Sequence, residues 1–303
     1  MTVAAGGPPA DRLAHGRRAL GRALPVGPAV VLLAVFLLGP ILYGIGISFT
    51  DLQLTGASET NFVGIDNYVK ALTSADFRAS VLYTLFFTVV SAIIGQNVVG
   101  MLLALLMRSA AAPVRAVVSA IVIGAWVLPE VVIGFLWLSF LGNEGTLNNV
   151  LGWFGVSGQE WLFALPILAV SVANIWRGTA FSMLVYSAAL SDVPQDVVEA
   201  ARVDGAGTWR TLFSITLPMV RRSIATNLML ITLQTLSVFG LIWAMTKGGP
   251  SGKSTTLPVF AYEQAIQYSL LGYGTAIALI LLFIGGVFSL IYLRVLRLEE
   301  SST

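Results

Sequence analysis

Long apolar runs broken by short polar stretches organise this chain. Charge-free runs of 28 residues (Arg22 to Asp51), 29 (Arg78 to Arg108), 24 (Arg222 to Lys247) and 30 (Glu263 to Arg294) lie between successive charged positions. Two more runs, Arg115 to Glu144 and Glu160 to Asp192, are each interrupted once, by Glu130 and by Arg177. About 20 mostly apolar helical residues cross ~30 Å of hydrocarbon. The pattern therefore predicts six membrane helices, with cores near 26–49, 81–107, 117–140, 162–188, 223–245 and 272–293. None of the runs alternates with a period of two, which a transmembrane β-barrel requires. The predicted fold class is an all-α membrane protein with six transmembrane helices.

Composition removes the alternatives. Hydrophobic residues make up 56% and charged residues 11% of the 303, against about 25% charged in soluble domains. Mean hydropathy is +0.85. A soluble enzyme, a disordered chain and a collagen-like chain are excluded. The absence of cysteine excludes a disulfide framework, a thiolate metal site and a cysteine nucleophile.

The placement of charge decides orientation. Six spans put both termini on one side. With the termini inside, the inner segments hold Arg12, Arg17, Arg18, Arg22, Arg108, Arg115, Arg202, Arg210, Arg221, Arg222, Arg294 and Arg297, while the outer segments hold only Lys70, Arg78, Lys247 and Lys253. By the positive-inside rule the topology is N-in, C-in. The expected organisation is a cytoplasmic disordered tail over 1–24, which carries the only histidine, His15, then a six-helix domain over 25–298 and a short tail over 299–303.

The inner connection between spans 4 and 5, about 189–222, is long and patterned. Ser191 or Asp192 followed by Pro194 is a helix-start signal. Gly205 and Gly207 can stop that helix, Thr208 can cap a second one, and Pro218 can end it. The expected product is a cytoplasmic helix-turn-helix. Glu199 and Asp204 offer charge on it, the paired Ala200 and Ala201 keep one face slim, and Trp209 and Phe213 stand four residues apart as apolar anchors. An amphipathic surface hairpin and a docking element both fit this pattern.

The order of residues resembles a known family. Glu199, Ala200, Ala201, Asp204, Gly205 and Ala206, followed by Leu217-Pro218, stand at the spacing of the "EAA" coupling loop of ABC importer permeases. Gly145-Thr146-Leu147-Asn148 is similar to the family's outer G-x-x-N segment, and Thr246-Lys247-Gly248-Gly249-Pro250 to its T-x-G-G-P. Two departures are Arg222 where a second proline often stands, and Gly240 after Phe239 where an aspartate often stands. Together the motifs resemble the first permease of the carbohydrate-uptake, maltose or glycerol-phosphate type. That resemblance implies a non-enzymatic subunit of a prokaryotic plasma membrane. Its partners would be a second permease, two ATPase subunits that hold ATP and magnesium, and an extracytoplasmic sugar-binding protein or lipoprotein. Glu199, Ala200, Ala201, Asp204, Gly205, Ala206 and Trp209 would then couple the path to the ATPases, and this chain would bind no cofactor and no nucleic acid.

Charged and polar residues inside spans are functional candidates, because burying them in lipid is costly. Glu130 follows Pro129, which is expected to kink span 3. Arg177 stands in span 4 beside Asn174, Trp176, Gly178 and Phe181; Gln234, Thr235 and Ser237 stand in span 5. Glu130 and Arg177 can pair or can line a polar path. The others can touch sugar, which needs planar polar groups and aromatic faces, or can hold helices together. Gly248 to Thr255 resembles a phosphate loop only superficially, because the position five before Gly252 is Lys247, not glycine. A secondary transporter would want more intramembrane carboxylates and an internal repeat. An intramembrane hydrolase lacks the nucleophile, base and metal-ligand clusters it would need.

Overall fold

A computed structural model describes residues 27–56 and 59–300. The expected tail over 1–24, with His15 and the four N-terminal arginines, lies outside the described residues. Among the described residues the chain is helical; its only extended pairing is an isolated bridge between Thr50 and Phe62. The elements are α1 (Gly27–Ser48), α2 (Asp66–Thr73), α3 (Ala75–Ser109), α4 (Ala112–Val127), α5 (Glu130–Leu141), α6 (Thr146–Trp153), α7 (Pro166–Ser191), α8 (Gln195–Val203), α9 (Thr208–Thr211), α10 (Arg221–Leu236), α11 (Gly240–Thr246), α12 (Leu257–Tyr262) and α13 (Leu271–Glu300). The last helix runs two residues into the segment expected as a C-terminal tail.

Among the described residues four helices are long and apolar enough to cross a membrane: α1, α3, α7 and α13. The other two expected spans are broken. Between Ala112–Val127 and Glu130–Trp153 the axis turns by 109°, and between Arg221–Leu236 and Gly240–Thr246 by 50°. Pro129 causes the first break. It pushes Leu128 out of the helical region, to ψ 138°, so the expected kink is a complete interruption. The second break falls at Ser237, Val238 and Phe239, where the Ser237 hydroxyl donates back to the Gln234 carbonyl, 2.9 Å.

The centre of the bundle is α7. It packs against α3, α4 and α10, while α5 packs on α11 and α13 on α1, α10 and α12. Small residues set these approaches, as expected where lipid removes the usual hydrophobic drive between helices. A Cβ at Gly134 would meet the Ala244 side chain at 2.5 Å, so α5 and α11 touch nearly backbone to backbone. Three apolar clusters result. Ile133, Val170, Leu241 and Ile242 centre the first, Met183, Tyr186 and Leu190 the second, and Leu257, Phe260 and Ile277 the third. By contrast α1 is apolar all round and none of its most hydrophobic window is buried, which suits lipid or a partner chain.

Candidate functional site

Both helix breaks open onto one cavity of about 570 Å³, lined by Trp126, Val127, Glu130, Arg177, Gln234 and Ser237. The broken helices supply its chemistry. Glu130 is the first residue of α5, where the positive end of the helix dipole favours a carboxylate. Gln234 and Ser237 stand exposed at the C-terminal end of α10. Arg177 projects from α7 and places Nη1 3.0 Å from Glu130 Oε1. Both ionic side chains keep a quarter or more of their surface open, 25% and 29%. The pair forms, and both of its side chains line the cavity.

The remaining intramembrane candidates divide. Asn174 is buried at 2% exposure, and its amide donates to Ser91 Oγ at 2.9 Å and to Thr235 Oγ1 at 3.5 Å. Thr235 is likewise buried. These two join α7 to α3 and α10 and do not reach the cavity. Gly178 is a packing notch, with the Gln96 carboxamide occupying the place of a side chain. Trp176 points elsewhere: it is 41% exposed and meets Trp137 edge-on, ring centres 6.2 Å apart. Phe181 lies against Trp126, 5.9 Å between centroids, one layer behind the cavity wall.

Sequence reasoning missed two groups. One is Trp126, in the last turn before Pro129. The other is a buried polar cluster of uncharged residues. Asn227 Nδ2 stands 3.0 Å from each of Asn97 Oδ1, Ser182 Oγ and Tyr186 Oη, three acceptors sharing its two hydrogens, and Tyr186 Oη donates to Asn97 Oδ1. Asn97 Nδ2 closes the cluster on the Ala92 carbonyl at 2.9 Å. Asn174 and Gln234 are singled out among the amides of the apolar runs; extending the same criterion to every amide in them reaches Gln96, Asn97 and Asn227.

A second candidate surface is the hairpin after α7. Span 4 is helical through Ser191, whose hydroxyl bonds back to the Ser187 carbonyl at 2.8 Å, so neither Ser191 nor Asp192 caps the next helix. Pro194 holds the N-cap position of α8 without a side-chain bond. At its end Ala206 N donates to Ala201 O at 2.9 Å and Gly205 N to Arg202 O at 3.0 Å, the paired bonds of a Schellman cap, with Gly205 at φ +83°. Gly207, not Thr208, is the N-cap of α9. Pro218 does not stop the second helix, which passes through a π-turn at Leu212–Thr216 and continues to Met219. A widened turn just upstream accommodates the donor that proline lacks.

On this hairpin the paired alanines face opposite ways. Ala201 is buried, whereas Ala200, Glu199, Val203 and Asp204 are exposed; Ala206 is half-buried. Trp209 and Phe213 stack at 5.9 Å and 15°, 73% and 60% exposed. The hairpin is seated on the bundle by one edge and offers a rigid aromatic and acidic face on the other.

The other two motif segments are structural. A Cβ at Gly145 would meet the Phe140 and Ser139 carbonyls at 2.6 Å. Asn148, buried, donates to the Asn143 and Gln159 carbonyls at 3.0 and 2.9 Å and accepts from Trp161 Nε1 at 2.8 Å. After α11, Lys247 and Gly248 turn the chain through positive φ, and Thr246 bonds Ser254 at 2.8 Å.

The geometry has counterparts among known proteins. A family model described as binding-protein-dependent transport system inner membrane component matches residues 96–298. The chain is 31% identical over 284 residues to the sulfoquinovosyl glycerol transport system permease protein SmoG of Agrobacterium fabrum, covering 91% of this chain and 90% of that one. It is 32% identical over 283 residues to the trehalose/maltose transport system permease protein MalF of Thermococcus litoralis, covering 91% and 94%. A solved bacterial ABC transporter involved in the import of the acidic polysaccharide alginate is similar at a TM-score of 0.79 and 25% identity, over 95% of this chain and 99% of that one. The chain belongs to the family of inner-membrane components of binding-protein-dependent transport systems.

Proposed function

We propose that this permease imports a sugar or sugar derivative and that the cavity between its two broken spans is its share of the translocation path. Each broken pair counts as one span, which gives six, with both termini and the α8–α9 hairpin on the cytoplasmic side of a bacterial or archaeal plasma membrane. The observation that carries the reading is the convergence of Glu130, Arg177, Gln234 and Ser237 on one cavity at two helix breaks. Interrupted helices at membrane depth are where transporters of other folds also place their substrate sites. Relatives named for sugar transport support the substrate class.

In this reading a second permease completes the path, and an extracytoplasmic binding protein delivers the sugar. Of two ATPase subunits, which hold ATP and magnesium, one docks on Glu199, Ala200, Asp204, Gly205, Ala206 and the Trp209–Phe213 stack, the other on the second permease. Their closure moves the hairpin, and α7 and α10, between which it is strung, carry the motion to the cavity. Such a lever works only by differential contact energy between two states, so it must be stiff. The glycine-capped turn and the buried Ala201 edge support that stiffness.

The test is reconstitution of the permease pair and ATPase subunits in vesicles, with the binding protein outside and ATP inside. Sugar accumulation and sugar-stimulated ATP hydrolysis are expected; no response to any carbohydrate overturns the reading. For orientation, cysteine placed at 65 or 150 should react with an impermeant thiol reagent from outside, and cysteine at 205 only from inside. Labelling of 205 in intact cells overturns the N-in topology.

A further inference from the structure

Relatives of this chain are named for cargo of both kinds: an acidic polysaccharide, and the uncharged trehalose and maltose. Family membership therefore leaves the charge of the cargo open, and this chain's share of the path bears on it. Its lining holds one cation and one anion, and these are paired with each other at 3.0 Å. The rest of the wall is an amide, a hydroxyl, an indole and an apolar side chain, from Gln234, Ser237, Trp126 and Val127. A Cβ at Gly240 would stand 3.3 Å from Glu130 Oε2 and 3.3 Å from Val131 Cγ2. The missing side chain at 240 leaves that side of the carboxylate uncrowded while Oε1 pairs with Arg177.

We infer that this permease is selective for an uncharged carbohydrate, and that Glu130, held in place beside Gly240, sets the selectivity by cancelling the charge of Arg177. The inference rests on reading this cavity as the sugar path. An anionic sugar entering it meets the Glu130 carboxylate beside a guanidinium whose charge Glu130 already offsets through Nη1, although Arg177 Nε is buried without a partner. To gain the full charge of Arg177 it must displace Glu130, which would leave an unpaired carboxylate within the membrane, and that is costly. An uncharged sugar finds planar polar groups for its hydroxyls and the Trp126 ring for a C–H face, with the ion pair undisturbed.

The binding protein selects cargo too, so the test leaves it out. Equilibrium binding of maltotriose and of trigalacturonate, equal in length and opposite in charge class, is measured on the purified complex of permeases and ATPase subunits. Wild type is expected to favour maltotriose. Glu130→Gln exposes the Arg177 charge, and the preference should move toward trigalacturonate by about tenfold at low salt, less at high salt. The double variant Glu130→Gln with Arg177→Gln carries no net charge and should return the ratio toward wild type; it also serves if the single variant fails to assemble. A wild-type preference for trigalacturonate overturns the inference while leaving the sugar path intact. So does a ratio that is the same in wild type and Glu130→Gln, or, where only the double variant assembles, a double-variant ratio that departs from wild type by tenfold. Binding of neither compound overturns the inference, whereas the sugar reading itself falls only if no carbohydrate gives a response in the vesicle assay.

Discussion

Gly178 on α7 carries no side chain where the carboxamide of Gln96 on α3 lies. Gln96 is 3% exposed and donates from Nε2 to the Asn174 carbonyl at 3.2 Å. A long polar side chain is thereby satisfied at membrane depth by the backbone of a neighbouring helix. The same seam repeats at Gly95 against Ile175 and at Gly100 against Ser182. Gly178→Ala must displace a buried amide and break its bond. We expect a loss of ~1–3 kcal/mol in stability, read as a lower melting temperature in detergent, with partial recovery in Gly178→Ala/Gln96→Ala. Gly124→Ala, where a Cβ meets nothing within 4 Å, should be neutral or slightly stabilising. Equal melting of Gly178→Ala and wild type would show the seam to be loose.

Asn174 and Gln234 should respond differently. Asn174 is committed to Ser91 and Thr235 inside the bundle, whereas Gln234 is exposed on the cavity wall. Asn174→Ala is expected to lower the amount of assembled complex, with uptake per complex near wild type. Gln234→Ala should assemble normally and raise the half-saturating sugar concentration several-fold, the loss of one hydrogen bond worth ~0.5–1.5 kcal/mol. The reverse pattern would put Asn174 in the path and Gln234 in the packing.

What sequence could show followed from how far each feature depends on tertiary contact. The apolar runs are set by lipid thickness, a one-dimensional constraint, and each is matched by a long helix or a bent pair. Pro129 announced its own break. The break after Leu236 has no proline and could not be read. The path candidates were chosen by residue type, and type does not say which side of a helix faces a neighbour. Asn174 and Arg177 are three residues apart on α7, yet one is sealed among helices and the other opens on a cavity. Asn227, fully buried among Asn97, Ser182 and Tyr186, drew no attention although Asn174 and Gln234, of the same chemistry, did, because nothing beside it in the sequence marks the three partners that other helices bring to it. In the hairpin, Gly205 was legible from its φ requirement, whereas the opposite facing of Ala200 and Ala201 needed the bundle beneath them.

Glu263 gives a pH dependence outside the six spans. Burial, and then the nearby charge of Asp76, hold its carboxyl above the ordinary glutamate value of 4.5. The folded chain therefore binds this proton more tightly than the unfolded chain. Its contribution is most favourable below the ordinary value and is lost as pH rises through the raised folded value. Glu263→Gln, which keeps the shape and cannot ionise, should melt above wild type at neutral pH and level with it at acidic pH. A gap between the two that does not change with pH would mean that the carboxyl is not strained by its surroundings.

The hairpin can be tested without touching the bundle, because its outer face makes little contact with the rest of the chain. Trp209 and Phe213 leave most of their surface open although their rings stack on each other. Exposed aromatics held rigid by stacking are the kind of anchor found at interface centres, where one is worth about 2 kcal/mol or more, about 30-fold in affinity. Trp209→Ala should leave the detergent melting temperature of the permease within about 1 °C and release the ATPase subunits on purification. Gly205→Pro tests a different property. At φ +83° a proline ring cannot form, and its missing N–H also removes the bond to Arg202 O. The Schellman cap is lost, and α8 and α9 are free to change their relative angle. ATPase subunits that still bind this variant should hydrolyse ATP without sugar accumulation, because a hinge between docking face and bundle transmits no differential contact energy. Normal accumulation in Gly205→Pro would mean that force reaches the cavity by a route other than this turn. Retention of ATPase subunits by Trp209→Ala would place the docking face elsewhere on the hairpin.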